Sequence, residues 1–163
     1  MSWFDMRDEQ QLPPAVYQAY ADVQEIARAT ISFFMTVCVP GMNLMEVRQI
    51  CEERMHSLGA DSFWYYDIGA FVFSGKETGI SVSGRDYQTA DTTIAVDDII
   101  TIDLSPQKDH IWGDYARTII IEDGRVMEYV SLIKNTEWRR GLLMERSLHE
   151  RLVKLAPPDM SFE

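Results

Sequence analysis

The first third of the chain repeats apolar residues at the spacing of an amphipathic helix. Apolar side chains recur every three or four positions at Val16, Tyr20, Val23, Ile26, Ile31 and Phe34. Pro14 suits the first turn of such a helix, and the Pro-Gly pair at 40–41 ends it. Asn43 then begins a capping-box pattern ahead of a second apolar repeat. These patterns predict helices at 14–39 and 43–58.

The pattern changes from helical to extended at Phe63. Aromatic and β-branched residues mix with glycines in the stretch FWYYDIGAFVFSGKETGISVSG, which predicts short strands. Longer strands are predicted at 92–104 and 114–122, and the sequence EDGR after them is typical of a tight turn. A last amphipathic helix is predicted at 131–155, with its apolar residues on or near one face at Trp138, Leu142, Leu148, Leu152 and Leu155. This order of elements predicts an α+β fold in which helices pack on one face of an antiparallel sheet.

A short similarity indicates that the helical pattern begins to repeat near residue 163. Residues 39–45, VPGMNLM, align with residues 157–163, PPDMSFE, and a long predicted helix precedes each. The similarity predicts a duplicated helix–helix–sheet unit, with a first half-unit at 1–130 and the start of a second at 131–163. In this interpretation the chain is a single truncated domain. The alternative is a natural terminus with a frayed tail.

The composition of the chain argues against some classes of binding partner. The 163 residues suit about one domain, and 26 acidic against 15 basic residues give a formal charge of −11. This balance argues against nucleic acid as a partner, since nucleic-acid surfaces usually carry a basic face. We expect no membrane partner, because the longest apolar run is short and no signal peptide is visible. Cys38 and Cys51 lack metal or redox spacing, so a cytoplasmic location is expected.

Two aspartates near the ends of the two long predicted strands are the candidate site. Asp103 closes the run DIITID, and Asp114 opens the run DYARTIII. A hairpin centred on residues 108–109 would place the two directly opposite each other, with Cβ atoms roughly 5 Å apart. Like charges so placed repel, whereas a divalent cation between them would be bound. The alternative is a pair of solvated surface acids, with Pro106 shifting the strand register.

The segment DDIITIDLSPQKDHIWGDYARTI resembles the first metal-ligand segment of the pita-bread metallopeptidases, which include methionine aminopeptidase, Xaa-Pro aminopeptidase, prolidase and creatinase. Asp103 and Asp114 match the first two metal ligands of that pattern, and Arg117 and Thr118 match the Arg-Thr pair that follows. The resemblance implies two similar halves around a curved antiparallel sheet. It also implies two divalent ions (Mn, Co, Zn or Fe) and a bridging water that attacks the carbonyl of a peptide or small amide substrate.

Two departures from the family pattern concern catalysis. The resembling peptidases carry a histidine before the metal strand, whereas this chain reads ISVSGRDYQTADTT, with Arg85 and Gln88 near the expected place. Its histidines lie elsewhere: His56 and His149 in predicted helices, and His110 in the predicted hairpin turn. The remaining family ligands, one histidine and two acidic residues, come from the second half. The catalytic residues are therefore unknown, and we expect weak metal binding and no peptidase activity from this chain alone.

Three functions within the family fit these observations. The leading hypothesis is a metal-dependent exopeptidase, or a fragment of one, acting at peptide N-termini or Xaa-Pro bonds. The alternatives are a creatinase-type hydrolase of a small C–N bond and a non-catalytic pita-bread module that binds a partner. Outside the family, the chain would be a small α+β domain with two solvated aspartates. The apolar face of helix 131–155 and the sheet edge beside it also predict a homo-oligomer.

Overall fold

A computed structural model of the chain describes residues 13–156. Its helices are α1 (Pro14–Val37), α2 (Leu44–Ser57) and α3 (Thr136–Leu155), and single 3-10 turns lie at Gly75–Gly79 and Val130–Leu132. Its strands are β1 (Ser62–Phe63), β2 (Ala70–Ser74), β3 (Asp98–Leu104), β4 (Pro106–Lys108), β5 (Ile111–Trp112), β6 (Tyr115–Glu122) and β7 (Arg125–Val126). The α+β prediction is confirmed, and the first two helices lie where the apolar repeat predicts them. The aligned segment 157–163 lies outside the described residues, so the division at residue 130 stays a prediction.

The strands form two antiparallel sheets. The larger sheet has the order β2-β3-β6-β7, and the smaller has the order β1-β4-β5. Helices α1 and α2 pack on one face of the larger sheet, where Phe34, Leu44 and Met55 are completely buried against the apolar residues of β3 and β6. Burial of such side chains is the main favourable term in folding. The larger sheet therefore has one face inside the core and a second face that bears the candidate site.

The strand predicted at 92–104 is shorter in the structure, because its first residues pair with the turn between α1 and α2 instead. The Leu44 amide donates to the Thr92 carbonyl at 2.9 Å, and the amides of Gly41 and Ile94 bond across the same junction. Asn43 and Thr93 form an isolated antiparallel bridge there. Regular pairing with the sheet begins only at Asp98.

The helix predicted at 131–155 also begins later, at Thr136. A single 3-10 turn takes up its first residues, and Asn135 caps the helix by accepting hydrogen bonds from the amides of Glu137 and Trp138 at 3.0 and 3.2 Å. Within α3 no residue is buried, and the apolar side chains of Leu143, Met144, Leu148, Leu152, Val153 and Leu155 are exposed. The homo-oligomer inferred from this face stays a prediction. No helix in residues 13–156 is long and apolar enough to cross a membrane.

Strand alternation places the candidate site on the face away from α1 and α2. Ile100, Ile102 and Leu104 point into the core, so Thr101 and Asp103 point to the opposite face. The hydroxyls of Thr101 and Thr118 lie 3.3 Å apart across the strand pair, which places β6 residues of the same parity there too. We call this surface the open face.

One tyrosine closes the outer edge of β2. The amide of Val72, a residue only 1% exposed, donates to the Tyr87 hydroxyl at 2.7 Å, and this hydroxyl donates to the Val72 carbonyl at 3.1 Å. Tyr87 thus supplies the hydrogen bonds that a further strand would make. We expect Tyr87→Phe to lower the free energy of unfolding by about 1–3 kcal/mol, because both buried backbone groups lose their partner. Urea unfolding measures this, and Tyr129→Phe, at an exposed tyrosine, should have almost no effect.

Candidate metal centre

The β3–β6 hairpin brings Asp103 and Asp114 to one side of the sheet, with a register that differs from the predicted one. Asp103 lies opposite Ala116, and Lys108 lies opposite Ile111. The turn residues are therefore Asp109 and His110, with φ of 51° and 64°, rather than 108–109. The prediction that the aspartates oppose each other directly is wrong, because a turn one residue further along shifts every pair by two positions.

The shift of two positions leaves the aspartates on the same face. Side chains alternate with a period of two, so Asp114 keeps the parity of Ala116 and becomes a diagonal neighbour of Asp103. Asp114 itself lies directly before β6, which begins at Tyr115. Pro106 does not disturb the pairing, since Gln107 and Trp112 continue the register of the longer strands beyond it. The structure thus brings the two predicted ligands together.

The backbone at Asp114 is held from both sides. Gln24 of α1 donates a hydrogen bond from Nε2 to the Asp114 carbonyl at 2.7 Å, and its Oε1 accepts a hydrogen bond of 3.2 Å from the Asp114 amide. The Trp64 indole donates to the Gly113 carbonyl at 2.8 Å. A Cβ at position 113 would lie 3.0 Å from Val23 Cγ1, so glycine permits this close approach to the helix. Sequence reasoning missed Gln24 and Trp64, which are remote in the sequence from the residues that they hold.

The two carboxylates interact unfavourably when both are ionised. Burial, followed by the charge of Asp114 and a side-chain hydrogen bond with it, raises the pKa of Asp103 to about 6. Oxygen donors on neighbouring strands are the ligand type that divalent cations such as Mn²⁺ bind, and a cation would remove the repulsion. Within residues 13–156 no third histidine, cysteine, aspartate or glutamate joins the pair. The pair fits a divalent cation in ligand type and would supply part of its coordination shell.

A pocket with mainly aromatic and aliphatic side chains in its walls opens beside Asp103 on the open face. Its volume is about 150 Å³, and it is lined by Tyr65, Phe71, Phe73, Ile80, Ser81, Val82 and Asp103. Phe71 and Phe73 reach it because β2 pairs them with Asp103 and Thr101 on the same face of the sheet. Sequence reasoning assigned these aromatic residues only to strands. The spacing of two positions between Phe71 and Phe73 was the signal in the sequence that both side chains share a face of the strand.

The segment where the resembling peptidases carry a histidine contributes an aromatic residue instead. Tyr87 is buried against Phe71, with ring centroids 4.6 Å apart, while Arg85 and Gln88 are exposed. The Arg85 guanidinium lies 5.9 Å from the ring centroid of Tyr66. Neither of the two polar residues near the expected place therefore supplies a buried hydrogen-bonding group at this point.

The three histidines occupy the elements predicted for them. His56 lies in α2, where its Nδ1 is 2.9 Å from the Ala60 carbonyl and its ring packs against Phe63 at 4.8 Å. His110 lies in the hairpin turn, and His149 lies in α3. Among the described residues, none of the three forms a metal-binding cluster with the aspartates.

The stability of the protein should depend on the ionisation of Asp103. Its pKa is about 6 in the folded state and near 3.8 in the unfolded state, so the folded state binds the extra proton between these values. Stability should therefore fall as pH rises from about 4 to 6 and stay lower above that window. We expect Asp103→Asn to remove this step and to raise the free energy of unfolding at pH 7 by about 1 kcal/mol, a value reduced for solvent screening.

Urea unfolding from pH 3.5 to 7.5 measures that step. Asp86→Asn, at an exposed aspartate, is the matched control and should keep the pH profile of the wild type. A wild-type protein that gains stability across the window relative to Asp103→Asn would contradict the repulsive interpretation of the pair.

Comparison with known proteins assigns the family. The model of metallopeptidase family M24 matches residues 18–137. Among solved structures, the chain is similar to the X-Pro aminopeptidase of Thermotoga maritima, with 17% identity and a TM-score of 0.59 over 72% of this chain and 31% of that one. It is also similar to aminopeptidase PepP of Pseudomonas aeruginosa, with 23% identity and a TM-score of 0.59 over 68% and 23% of the two chains. Dipeptidase PepE of Mycobacterium ulcerans matches with 20% identity and a TM-score of 0.53 over 69% and 29%.

The similarity to these peptidases concerns the fold and covers a limited part of them. This chain spans less than a third of each solved structure, and it shares their pita-bread fold. No curated protein matches the sequence. Because the family model covers well over half of the residues, including both candidate ligands, the chain belongs to metallopeptidase family M24.

Proposed function

We propose that this chain provides one side of the active site of a metal-dependent exopeptidase that acts at peptide N-termini or on Xaa-Pro bonds. The observation that carries the proposal is the proximity of Asp103 and Asp114 on the open face, next to a pocket with mainly aromatic and aliphatic walls, in a chain of a metal-dependent family. Two divalent ions bound there, of Mn, Co, Zn or Fe, would supply an activated water and polarise a peptide carbonyl.

The side chains of this chain have three tasks in that reaction. Asp103 on β3 and Asp114, directly before β6, would hold the cations, and the pairing of β3 with β6 fixes the separation of the two residues. Gln24 keeps the backbone at Asp114 in place. Phe71, Phe73 and the other apolar residues of the pocket bind a substrate side chain and exclude water from one flank of the pair.

The ligand count implies that the remaining groups of the site come from outside residues 13–156. Two carboxylates leave most coordination positions of two cations to water, and a water becomes a strong nucleophile only in a well-ligated and shaped site. We therefore expect the 163-residue chain to bind Mn²⁺ weakly and to cleave peptides no faster than background. The further ligands in this proposal are one histidine and two acidic residues.

Isothermal titration with Mn²⁺, run beside an aminopeptidase assay on peptides with free N-termini and on Xaa-Pro peptides, tests this proposal. Weak, saturable binding without cleavage is the expected result. Efficient cleavage by this chain alone would show that its own residues complete the site. Absence of Mn²⁺ binding up to high millimolar concentration would remove the metal from the proposal.

A second candidate function is a non-catalytic pita-bread module that binds a partner. The observation that favours it is Tyr87, which packs against the pocket in the segment where the resembling peptidases carry a histidine. Such a module would bind a peptide in the pocket beside Asp103 without hydrolysing it. Peptide binding that is insensitive to both Mn²⁺ and Asp103→Asn would support this function over the peptidase.

A further inference from the structure

A second cavity, an aromatic groove, lies next to Asp114, between the first turns of α1 and β5. Its volume is about 310 Å³, and it is lined by Tyr17, Tyr20, Ala21, Gln24, Trp112, Gly113 and Asp114. The rings of Tyr20 and Trp112 stand at 88° to each other with centroids 6.0 Å apart, and so form two walls of a corner. We call this cavity the Trp112 groove.

Two aromatic side chains of the Trp112 groove are largely exposed to solvent. Tyr17 is 68% exposed and Trp112 is 48% exposed. Large aromatic side chains usually bury most of their area, and contiguous exposed apolar surface commonly marks a binding site. The exposed rings are therefore available to a ligand.

The amide and backbone polar groups of the groove at Gln24, Gly113 and Asp114 already form hydrogen bonds. Both ends of the Gln24 amide bond the Asp114 backbone, and the Gly113 carbonyl accepts the Trp64 indole. A ligand in the groove would meet ring faces and edges more than free hydrogen-bonding groups. This environment favours an aromatic ring, because aromatic pairs add about 0.5–1.5 kcal/mol to the gain from area burial.

A continuous row of rings joins this groove to the pocket beside Asp103. Trp112 contacts Trp64 with centroids 5.2 Å apart, and Trp64 contacts Tyr65 at 5.1 Å. Tyr65 then packs against Phe71 at 5.7 Å, and both line the Asp103 pocket. One cavity is thus lined by Asp103 and the other by Asp114, and a row of aromatic rings joins them.

We propose that the Trp112 groove binds an aromatic side chain of the substrate peptide, on the opposite side of the cleaved bond from the residue in the Asp103 pocket. This specificity rests on the proposed peptidase function. Diagonal neighbours on a strand pair lie within about 8 Å, and one extended residue spans roughly 3.5 Å, so residues flanking one peptide bond can reach both cavities. The smaller pocket suits a small apolar side chain, and the larger groove suits a ring.

Nuclear magnetic resonance titration of the ¹⁵N-labelled chain with dipeptide amides tests the groove without requiring hydrolysis. The probes are Val-Phe amide and Val-Ala amide, and the signals are the Trp112 indole N–H and the Gly113 amide. We expect Val-Phe amide to bind about tenfold more tightly than Val-Ala amide, given the energy of an aromatic pair. Tyr17→Ala and Trp112→Ala should each reduce this preference to near equality.

The variants separate a binding effect from a folding effect. Tyr17 is largely exposed, so its removal should leave the fold intact even if Trp112→Ala unfolds the protein. Tyr129→Ala removes a comparably exposed tyrosine outside the groove and should retain the tenfold preference. Equal binding of the two probes by the wild type, or an unchanged preference in Tyr17→Ala, would overturn the proposal.

Addition of Mn²⁺ tests whether the groove lies beside the aspartate pair. Paramagnetic Mn²⁺ should broaden the ring protons of bound Val-Phe amide in the wild type and should not in Asp103→Asn. If the chain prefers the aromatic probe but does not bind Mn²⁺, the result would support the groove proposal and contradict the proposed metal site. If the chain binds Mn²⁺ but does not prefer the aromatic probe, only the groove proposal would be refuted. Binding of both without broadening would refute the placement of the groove beside the metal.

Discussion

Asp103→Asn or Asp114→Asn should abolish binding of Mn²⁺ and Co²⁺ while leaving the metal-free protein as stable as the wild type or slightly more stable. The two carboxylates attract a cation jointly, but without one they repel each other, as the raised pKa of Asp103 indicates. Removing either charge takes away a ligand and the repulsion together. Isothermal titration measures the first effect, and thermal unfolding with and without metal measures the second.

This opposite response distinguishes a ligand pair from a structural pair. If the aspartates stabilised the fold, each asparagine variant would unfold at a lower temperature without metal. Asp86→Asn, which removes an exposed acid elsewhere, should change neither metal binding nor stability. Variants that lose stability in the absence of metal, or that bind Mn²⁺ as the wild type does, would contradict the role given to the pair.

Gln24→Ala should weaken Mn²⁺ binding by about 10–100-fold, although Gln24 is not a proposed ligand. Groups that orient a metal ligand typically have effects of this size. The Gln24 amide fixes the backbone of Asp114 through one donated and one accepted hydrogen bond, and its loss lets the carboxylate move away from Asp103. Isothermal titration of the variant against the wild type measures the change.

Two further variants test whether Gln24 acts by positioning. Gln24→Glu retains an acceptor for the Asp114 amide but loses the donor to its carbonyl, so its affinity for Mn²⁺ should stay close to that of Gln24→Ala. Gln18→Ala removes a glutamine of the same helix that bonds only Asp22 among the described residues, and it should bind Mn²⁺ normally. A Gln24→Ala protein with wild-type affinity would show that the turn holds Asp114 by itself.

The candidate ligands could be predicted from the sequence because the face of a strand residue depends only on its parity. The predicted turn was one residue too early, so each strand pair moved by two positions and both aspartates stayed on the open face. A shift of one position in the pairing would have sent one of them to the core face. The turn itself carried no clear signal, since Asp109 and His110 adopt positive φ without the Asn-Gly or Asp-Gly sequence usual there.

The rest of the site could not be predicted, because it depends on contacts between remote segments. Gln24 and Asp114 are ninety positions apart, and the Trp112 groove combines the first turns of α1 with the β5 hairpin. Periodicity assigns Gln24 to a helix but does not show which loop that helix will meet. In the same way, the segment at 92–94 has the composition of a strand, yet its backbone forms hydrogen bonds with the turn after α1 instead of with the sheet.

The attachment of α3 has a consequence for the cooperativity of the protein. The helix joins the sheet through Glu122, whose carboxylate accepts the amides of Lys134 and Asn135 at 2.7 Å each, while no α3 side chain is buried. Its order therefore rests on its Asn135 cap and on local pairs such as Arg146–Glu150, and it lacks the packing of a buried apolar face that supplies most helical stability in proteins. The chain should behave as two foldons: the sheet with α1 and α2 opens only by global unfolding, and α3 melts by itself without disturbing the aspartate pair.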